Sequence, residues 1–229
     1  MFNETFSAVQ RCLNAGGTMT SRDFFKNLWI KNVAVQSATH AHLPVSRGRA
    51  SRPKTCGDGT SFARLKDSRP ILIRQIQRSD QALLEEGFGK LSSRSRVMRY
   101  LAPKKELSKS EIDLITDPTD MDDVTLGALA QNSAGDWRHP VGTSRFIRLS
   151  PGGDDAEIAV TIVDEYQGLG AGRILLAELI ARARDCGITR LVAFVHSENK
   201  AMKALAQNFG GHVAERHETE VRLHIDLDV

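Results

Sequence analysis

The feature that most constrains this chain is a glycine-rich turn between an apolar run and an amphipathic run. The apolar run, 158–163, alternates as a strand does, and the amphipathic run, 174–186, has the period of a helix. Glycines stand between them at alternate positions, Gly168, Gly170 and Gly172. Because glycine has no side chain, a ligand can approach this backbone closely. The start of the helix adds unpaired N–H groups and the positive end of its dipole. The pattern therefore predicts a strand, an anion-binding turn and a helix, suited to a diphosphate.

Two classes of diphosphate ligand use such a turn, and the spacing separates them. Dinucleotide-binding folds carry Gly-x-Gly-x-x-Gly directly after the strand. Here the glycines run Gly-x-Gly-x-Gly, and residues 164–167 separate them from the strand. The chain after Gly172 is long enough for little more than one further strand–helix–strand unit. One residue favours a dinucleotide, because Glu198 follows the next apolar run, where a ribose-binding acid would stand. The spacing makes the dinucleotide the weaker interpretation.

The turn resembles that of a known enzyme family. Gln167-Gly168-Leu169-Gly170-Ala171-Gly172 is similar to the Gln/Arg-x-x-Gly-x-Gly/Ala signature of the GNAT acetyltransferases, and 199–205 resembles the Asn-led helix of that family. Three upstream pieces resemble the GNAT domain of bacterial protein-lysine acetyltransferases of the Pat type. These pieces are 74–76, 92–96 and 107–111. The resemblance covers residues 70 to 227 and implies an α/β (α+β) fold, with a mixed, mostly antiparallel central sheet flanked by helices.

The resemblance and the composition together divide the chain in two. We expect the GNAT-like domain to occupy 70–229 and a basic, flexible extension to occupy 1–69, because 35–69 lose apolar periodicity. The extension carries an excess of Lys and Arg, whereas the remainder is mildly acidic. The basic tract 46–54 has no aromatic residues interleaved with it, so we do not expect a nucleic-acid partner.

The cysteines and the hydropathy indicate where the protein works. Cys12, Cys56 and Cys186 are far apart and form no Cys-x-x-Cys pair, which predicts neither a disulfide framework nor a zinc site and favours a reducing, cytoplasmic location. No apolar run approaches the length that spans a membrane. We therefore expect no membrane partner and no metal. The protein could act as a monomer or as a homodimer.

The first half of the domain predicts a strand followed by three short helices. Ile71 and Ile73 lie in the strand, and Ser108-x-x-Glu111 forms a capping box for the third helix. In GNAT proteins the two helices after the first strand border the acceptor, and the resemblance therefore implies that Arg94, Arg96 and Arg99 lie near the mouth of the site. An exposed basic helix face is the alternative. Further along, 124–130 and 145–149 predict a hairpin whose loop runs through Gly142.

The central strand carries the candidate catalytic group. Ile158, Val160 and Ile162 lie on one face, and Glu157 lies on the other face with smaller groups. The resemblance implies that Glu157 is the general base. A lysine ammonium must lose a proton before it can attack a thioester, and a carboxylate with a raised pKa can accept that proton. The alternative is a strand-start acid that meets solvent or Arg145. The nearest competing acids are Asp154, Asp155 and Glu165.

The resemblance also implies the residues that bind the acetyl donor. In the family the central strand parts from its neighbour, and its backbone pairs with the pantetheine arm; Ile162 and Val163 occupy that position. The backbone of Gln167, Gly168, Leu169, Gly170, Ala171 and Gly172 would surround the diphosphate, with a charge-assisted contact from Arg173. Asn199 is a natural helix N-cap, and in the family the matching Asn also contacts the pantetheine.

The chain departs from the family at one position. Many GNAT enzymes carry a Tyr six or seven residues after the Asn, as general acid, but here Leu205 and Ala206 stand there. We predict an enzyme that moves an acetyl group from acetyl-CoA to an amine by direct attack in a ternary complex, with a protein lysine as acceptor. The alternatives are a small-molecule amine as acceptor, or a non-catalytic acyl-CoA-binding module.

Overall fold

The computed structural model describes residues 59–117 and 122–227. Residues 1–58, which form most of the predicted extension, lie outside the described part. The described residues belong to one compact unit.

An eight-stranded sheet organises this unit. Its strands follow the order β1-β2-β3-β4-β5-β6-β8-β7, and every neighbouring pair is antiparallel except β5 and β6. The strands are β1 Ser61–Arg64, β2 Pro70–Gln75, β3 Asp123–Gln131, β4 Trp137–Arg148, β5 Asp155–Ile162, β6 Arg190–His196, β7 His212–Arg216 and β8 Glu220–Asp226. The helices are α1 Gln81–Gly89, α2 Ser93–Tyr100, α3 Lys109–Thr116, α4 Ala171–Asp185 and α5 Lys200–Gln207. The predicted mixed, mostly antiparallel sheet with flanking helices is confirmed.

One face of the sheet forms the core. The α4 residues that share the predicted apolar stripe are all buried, namely Leu176, Leu179, Ile180 and Ala183. They belong to the same apolar cluster as Phe146 of β4 and Ile158 of β5. Burial of apolar area at roughly 25 cal/mol per Å² makes this face the main source of stability. Gly187, with φ of +74°, follows the helix end as predicted.

Helices α1 and α2 pack against the sheet, α1 on β4 and α2 on β5 and β6. The predicted caps are present. Ser92 accepts a hydrogen bond from the Ser95 amide at the start of α2, and Ser108 and Glu111 form the capping box of α3. Helix α2 ends at Leu101, which adopts a left-handed conformation, before Pro103 is reached.

The predicted hairpin is longer than its sequence pattern indicated. The loop expected to run through Gly142 is a short turn, and β4 already begins at Trp137. The turn is tight because the Asn132 side chain accepts hydrogen bonds from the Ala134 and Asp136 amides. Two register irregularities between β3 and β4 accompany the passage of Pro140 through the strand.

Strand β1 also lies outside the predicted domain boundary. Ser61–Arg64 fall within the segment expected to be a flexible extension, yet they pair with β2 in the register Ser61 to Ile73. The sheet therefore begins before Pro70. The alternation within four residues is too short to be distinguished from loop sequence by its periodicity.

The end of α4 corrects the expectation drawn from the cysteines. Cys186, which directly follows α4, is disulfide-bonded. The wide spacing of the three cysteines had predicted no such bond. The disulfide removes the support that the spacing gave to a reducing location.

Within the described ranges, no helix is long and apolar enough to cross a bilayer.

We predict that Gly211→Ala destabilises the protein. A Cβ at this position would lie 2.7 Å from the Ala206 carbonyl oxygen and 2.9 Å from Ile225 Cγ1, so the α5–β7 junction must shift. The expected loss is roughly 2 kcal/mol of unfolding free energy in urea denaturation.

Gly89→Ala at the end of α1 is the matched control, because a Cβ there meets nothing within 4 Å. We expect it to be neutral or slightly stabilising. Equal denaturation midpoints for the two variants would contradict the packing argument.

Candidate functional site

The site begins where β5 and β6 part. These parallel strands pair over three residues only, Asp155–Glu157 with Arg190–Val192. Beyond that point β5 continues to pair with β4 as far as Ile162, and β6 pairs with β8. A gap therefore opens in the sheet between the second half of β5 and the second half of β6.

Backbone groups of β5 face this gap. The Val163 amide donates to the Val141 carbonyl at 2.9 Å, so it is directed toward β4. Because successive residues of a strand direct their amides to opposite edges, Ile162 directs its backbone toward the gap. The Ile162 carbonyl accepts a hydrogen bond from Gln167 Nε2 at 3.1 Å. Of the two residues predicted to pair with a ligand arm, Ile162 therefore has the suitable orientation, whereas both backbone groups of Val163 already have partners within the chain.

The glycine turn lies at the end of the gap. Gly168 and Gly170 have φ of +75° and +89°, values that favour glycine, and Gly170 is the N-cap of α4 without a side-chain cap. Helix α4 begins at Ala171, three residues before the predicted start, so Gly172 and Arg173 lie in its first turn. Amides of this first turn lack intrahelical partners and, with the helix dipole, suit an anion. Arg173 is exposed beside them.

Gly172 brings three parts of the chain together. A Cβ there would lie 3.5 Å from Leu205 of α5 and 3.7 Å from Ile162 of β5. Leu205, one of the two positions at which many GNAT enzymes carry a Tyr, therefore lies near the turn, and its side chain has no proton to donate. Ala206 is buried in the core.

Asn199 has the predicted capping role and a second contact. Its side-chain oxygen accepts the Met202 amide at 2.9 Å, and Nδ2 donates to the Met98 carbonyl of α2 at 3.4 Å. The first contact follows from the sequence pattern of a helix N-cap. The second joins residues about a hundred positions apart and has no local signal.

Helix α2 lies across the gap. Ser95 Oγ accepts from Gln167 Nε2 at 3.1 Å, and Arg99 Nε donates to Thr161 Oγ1 of β5 at 3.1 Å. Together with the Met98–Asn199 contact, these bonds tie one helix to the turn, to β5 and to α5. Of the three arginines predicted near the site, only Arg99 makes such a contact. Arg96 instead donates to backbone carbonyls from Phe88 to Lys105, and Arg94 is exposed.

Glu157 lies on the β5 face that also carries Thr161. Its side chain is partly buried, and no described residue forms a hydrogen bond with its carboxylate. Burial raises the pKa of Glu157, the charges of Arg99 and Arg145 act in the opposite direction, and Glu220 raises the pKa further. A carboxylate held in this way accepts a proton more readily than an exposed one.

The alternative partner for Glu157 is engaged elsewhere. Arg145 is buried and forms an ion pair with Asp123, with Nε donating to Oδ1 at 2.8 Å, and Arg145 also donates to the Leu114 carbonyl. Its charge still reaches Glu157 but the two form no ion pair. Glu157 is therefore not simply the partner of Arg145.

The competing acids lie in different surroundings. Asp155 pairs with Arg190 at 3.0 Å, and Glu165 is exposed and lies 3.5 Å from Arg69. Asp154 is exposed, and its backbone carbonyl accepts the amides of Thr189 and Arg190. Asp155 shares the strand face of Glu157 and is also partly buried, but its carboxylate is engaged by Arg190, whereas Asp154 and Glu165 are exposed. Across the described ranges, no cluster of three metal-ligating side chains is present.

Comparison with known proteins agrees with this geometry. The model of the acetyltransferase (GNAT) family matches residues 99–210. An acetyltransferase of Pseudomonas aeruginosa is 33% identical over 146 residues, which cover 64% of this chain and 77% of that protein.

Solved structures show the same fold. The GNAT domain of Streptomyces lividans PAT has a TM-score of 0.66 and 28% identity, covering 73% of this chain and 97% of that domain. YncA of Salmonella typhimurium, solved with its cofactor acetyl-CoA, has a TM-score of 0.55 and 21% identity, covering 69% of this chain and 94% of that one.

We predict that Glu157→Gln stabilises the fold at neutral pH. A carboxyl whose pKa is higher in the folded state binds more protons when folded, so wild-type stability falls as the pH rises above the unfolded pKa, about 4.3. Gln carries no such penalty. In urea denaturation the unfolding free energy of the variant should exceed that of the wild type at pH 8. The difference between the two unfolding free energies should shrink toward pH 4. A difference independent of pH would contradict the raised pKa.

Proposed function

Because this chain belongs to the GNAT acetyltransferase family and is an acetyl-CoA-dependent acetyltransferase, we propose that it acetylates the side chain of a protein lysine. The observation that carries the proposal is the carboxylate of Glu157, partly buried on β5 beside the gap, with a pKa raised by burial. The choice of a protein acceptor rests on the resemblance to the Pat type and on the structural match to a PAT domain.

The chain offers a suitable surface for the acetyl donor. The pantetheine arm would bind along the gap, where Ile162 presents its backbone and where Gln167 and Asn199 both contact α2. The diphosphate would meet the amides between Gly168 and Gly172, and Arg173 stands next to them. The positive φ values of the glycine turn fit this role, because a side chain there would strain the backbone.

Glu157 is the group that we assign as general base. It accepts one proton from the acceptor ammonium, and the neutral amine then attacks the thioester carbonyl. The N–C bond forms, the C–S bond breaks, and the second proton on nitrogen passes through water to the departing thiolate. Water fills this role in our proposal because Leu205 and Ala206 replace the usual Tyr.

We expect Glu157→Gln to lower kcat by roughly 10²- to 10³-fold, the usual contribution of a positioned base. Affinity for acetyl-CoA should not change, because Glu157 faces the acceptor side of β5. The measurement is thiol release from acetyl-CoA with a panel of lysine-bearing proteins, combined with calorimetric titration of acetyl-CoA. Asp154→Asn is the matched control, an exposed acid just before the same strand, and should retain activity. Full activity of Glu157→Gln would assign the base to another group.

A small amine that carries a carboxylate is the second candidate acceptor, and Arg99 favours it. This cation lies beside Thr161, its charge acts on Glu157, and it has no ion-pair partner among the described residues. A guanidinium in such a position can bind a carboxylate. The same charge would also lower the affinity for a protonated lysine.

Arg99→Gln separates the two acceptors. For an amino acid acceptor we expect KM to rise roughly tenfold, in line with the loss of a charge-assisted hydrogen bond, with little change in KM for acetyl-CoA. For a protein lysine the acceptor KM should stay the same or fall. Arg94→Gln, on the exposed side of the same helix, is the control. If the wild type acetylates free amino acids but not proteins, the acceptor is a small amine and not a protein lysine.

A further inference from the structure

The hairpin loop between β1 and β2 packs against the glycine turn. The Lys66 amide donates to the Leu169 carbonyl at 3.0 Å, and the preceding residue, Leu65, is buried in the core. This hairpin lies well before residues 99–210, the part of the chain that the family model matches. The contact therefore joins the turn to a part of the chain outside the segment that the family model matches.

Arg69 fixes the other end of the loop to the approach of the turn. Its guanidinium lies 4.6 Å from the centre of the Tyr166 ring, and Nη1 lies 3.5 Å from Glu165. Arg69 Nε also pairs with Asp67 at 2.7 Å. Asp67 and Glu165 are thus both paired with Arg69. Neither of them forms an ion pair with Lys66 in the described part of the chain.

The Lys66 side chain runs along Gly170. A Cβ built on Gly170 would lie 3.7 Å from Lys66 Cγ and 3.9 Å from Lys66 Cε. Gly170 is the N-cap of α4, so the exposed ammonium, one bond beyond Cε, lies beside the helix end that suits an anion. A lysine ammonium next to unpaired amides adds a full positive charge where the turn itself supplies only dipoles.

From this geometry we infer that Lys66 binds the phosphate groups of acetyl-CoA, as a cationic contact that the β1–β2 hairpin adds to the glycine turn. The inference rests on the proposed acetyl-CoA site. It assigns to the hairpin two contributions, a backbone hydrogen bond that holds the Leu169 peptide in place and an ammonium that faces the ligand. The phosphates in reach are the diphosphate and the 3′-phosphate, which share the same chemistry.

The test compares Lys66→Gln, Lys66→Arg and wild type by calorimetric titration of three donors. These are acetyl-CoA, acetyl-dephospho-CoA, which lacks the 3′-phosphate, and acetylpantetheine, which lacks all phosphates. Lys109→Gln, an exposed lysine at the start of α3, is the control. Each titration is done at two salt concentrations, because an exposed charge contact is screened by salt.

We expect Lys66→Gln to weaken acetyl-CoA binding roughly 5- to 20-fold, with a shallower salt dependence, and to leave acetylpantetheine binding unchanged. Lys66→Arg should restore most of the affinity. If Lys66→Gln also weakens the binding of acetyl-dephospho-CoA, Lys66 contacts the diphosphate. If the variant binds acetyl-dephospho-CoA as tightly as the wild type does, Lys66 contacts the 3′-phosphate. The inference is overturned if Lys66→Gln binds acetyl-CoA as wild type does, or if it loses equal affinity for acetylpantetheine. If wild type fails to bind acetyl-CoA, the proposed site itself fails.

Discussion

The parting of β5 from β6 is the constraint on which the rest of the site depends. Both strands are fully paired on their outer edges, β5 with β4 and β6 with β8, yet they share only three residue pairs. Backbone N–H and C=O groups require partners, so the inner edge of β5 is a row of groups that a ligand or a side chain must satisfy. Gln167 serves one of them at the Ile162 carbonyl. The turn lies at the open end of this gap, so an extended ligand arm and a diphosphate can be bound by one continuous piece of backbone.

The alternation of β5 separates stability from chemistry. Ile158 faces the apolar cluster that α4 covers, whereas Glu157 and Thr161 face the side on which α2 lies. A one-residue shift in register would exchange the two faces. The long antiparallel pairing of β5 with β4 opposes such a shift, and the buried Arg145–Asp123 pair in turn links β4 to β3. Partial burial of the Glu157 carboxylate costs free energy, and the pairing of β5 with β4 keeps this residue on its face of the sheet.

The sequence predicts local features of this fold better than contacts between distant segments. The apolar stripe of α4, the cap at Asn199 and the capping box of Ser108 and Glu111 each depend on neighbours within one or two helical turns, and each is present. Strand β1 was missed because four residues carry too little periodicity, and the start of β4 was missed because Pro140 interrupts its pattern. The roles of Glu157 and of the turn residues stay predictions drawn from the resemblance. The resemblance implied that Arg99 lies near the site, but its hydrogen bond to Thr161 and the contact of Lys66 with the turn have no signal in the sequence, since each joins elements that only the fold brings together.

Helix α2 connects the two halves of the site. Its hydrogen bonds reach Gln167 at the turn, Asn199 at α5 and Thr161 on the Glu157 face, all within two turns of helix. A reaction by direct attack requires donor and acceptor to be held together, and α2 contacts the approach to the turn, β5 and the N-cap of α5. Ser95, Met98 and Arg99 lie on the same helix, so one element contacts Gln167, Asn199 and Thr161. The Arg99 charge that lowers the pKa of Glu157 therefore comes from the helix that also contacts Gln167 and Asn199.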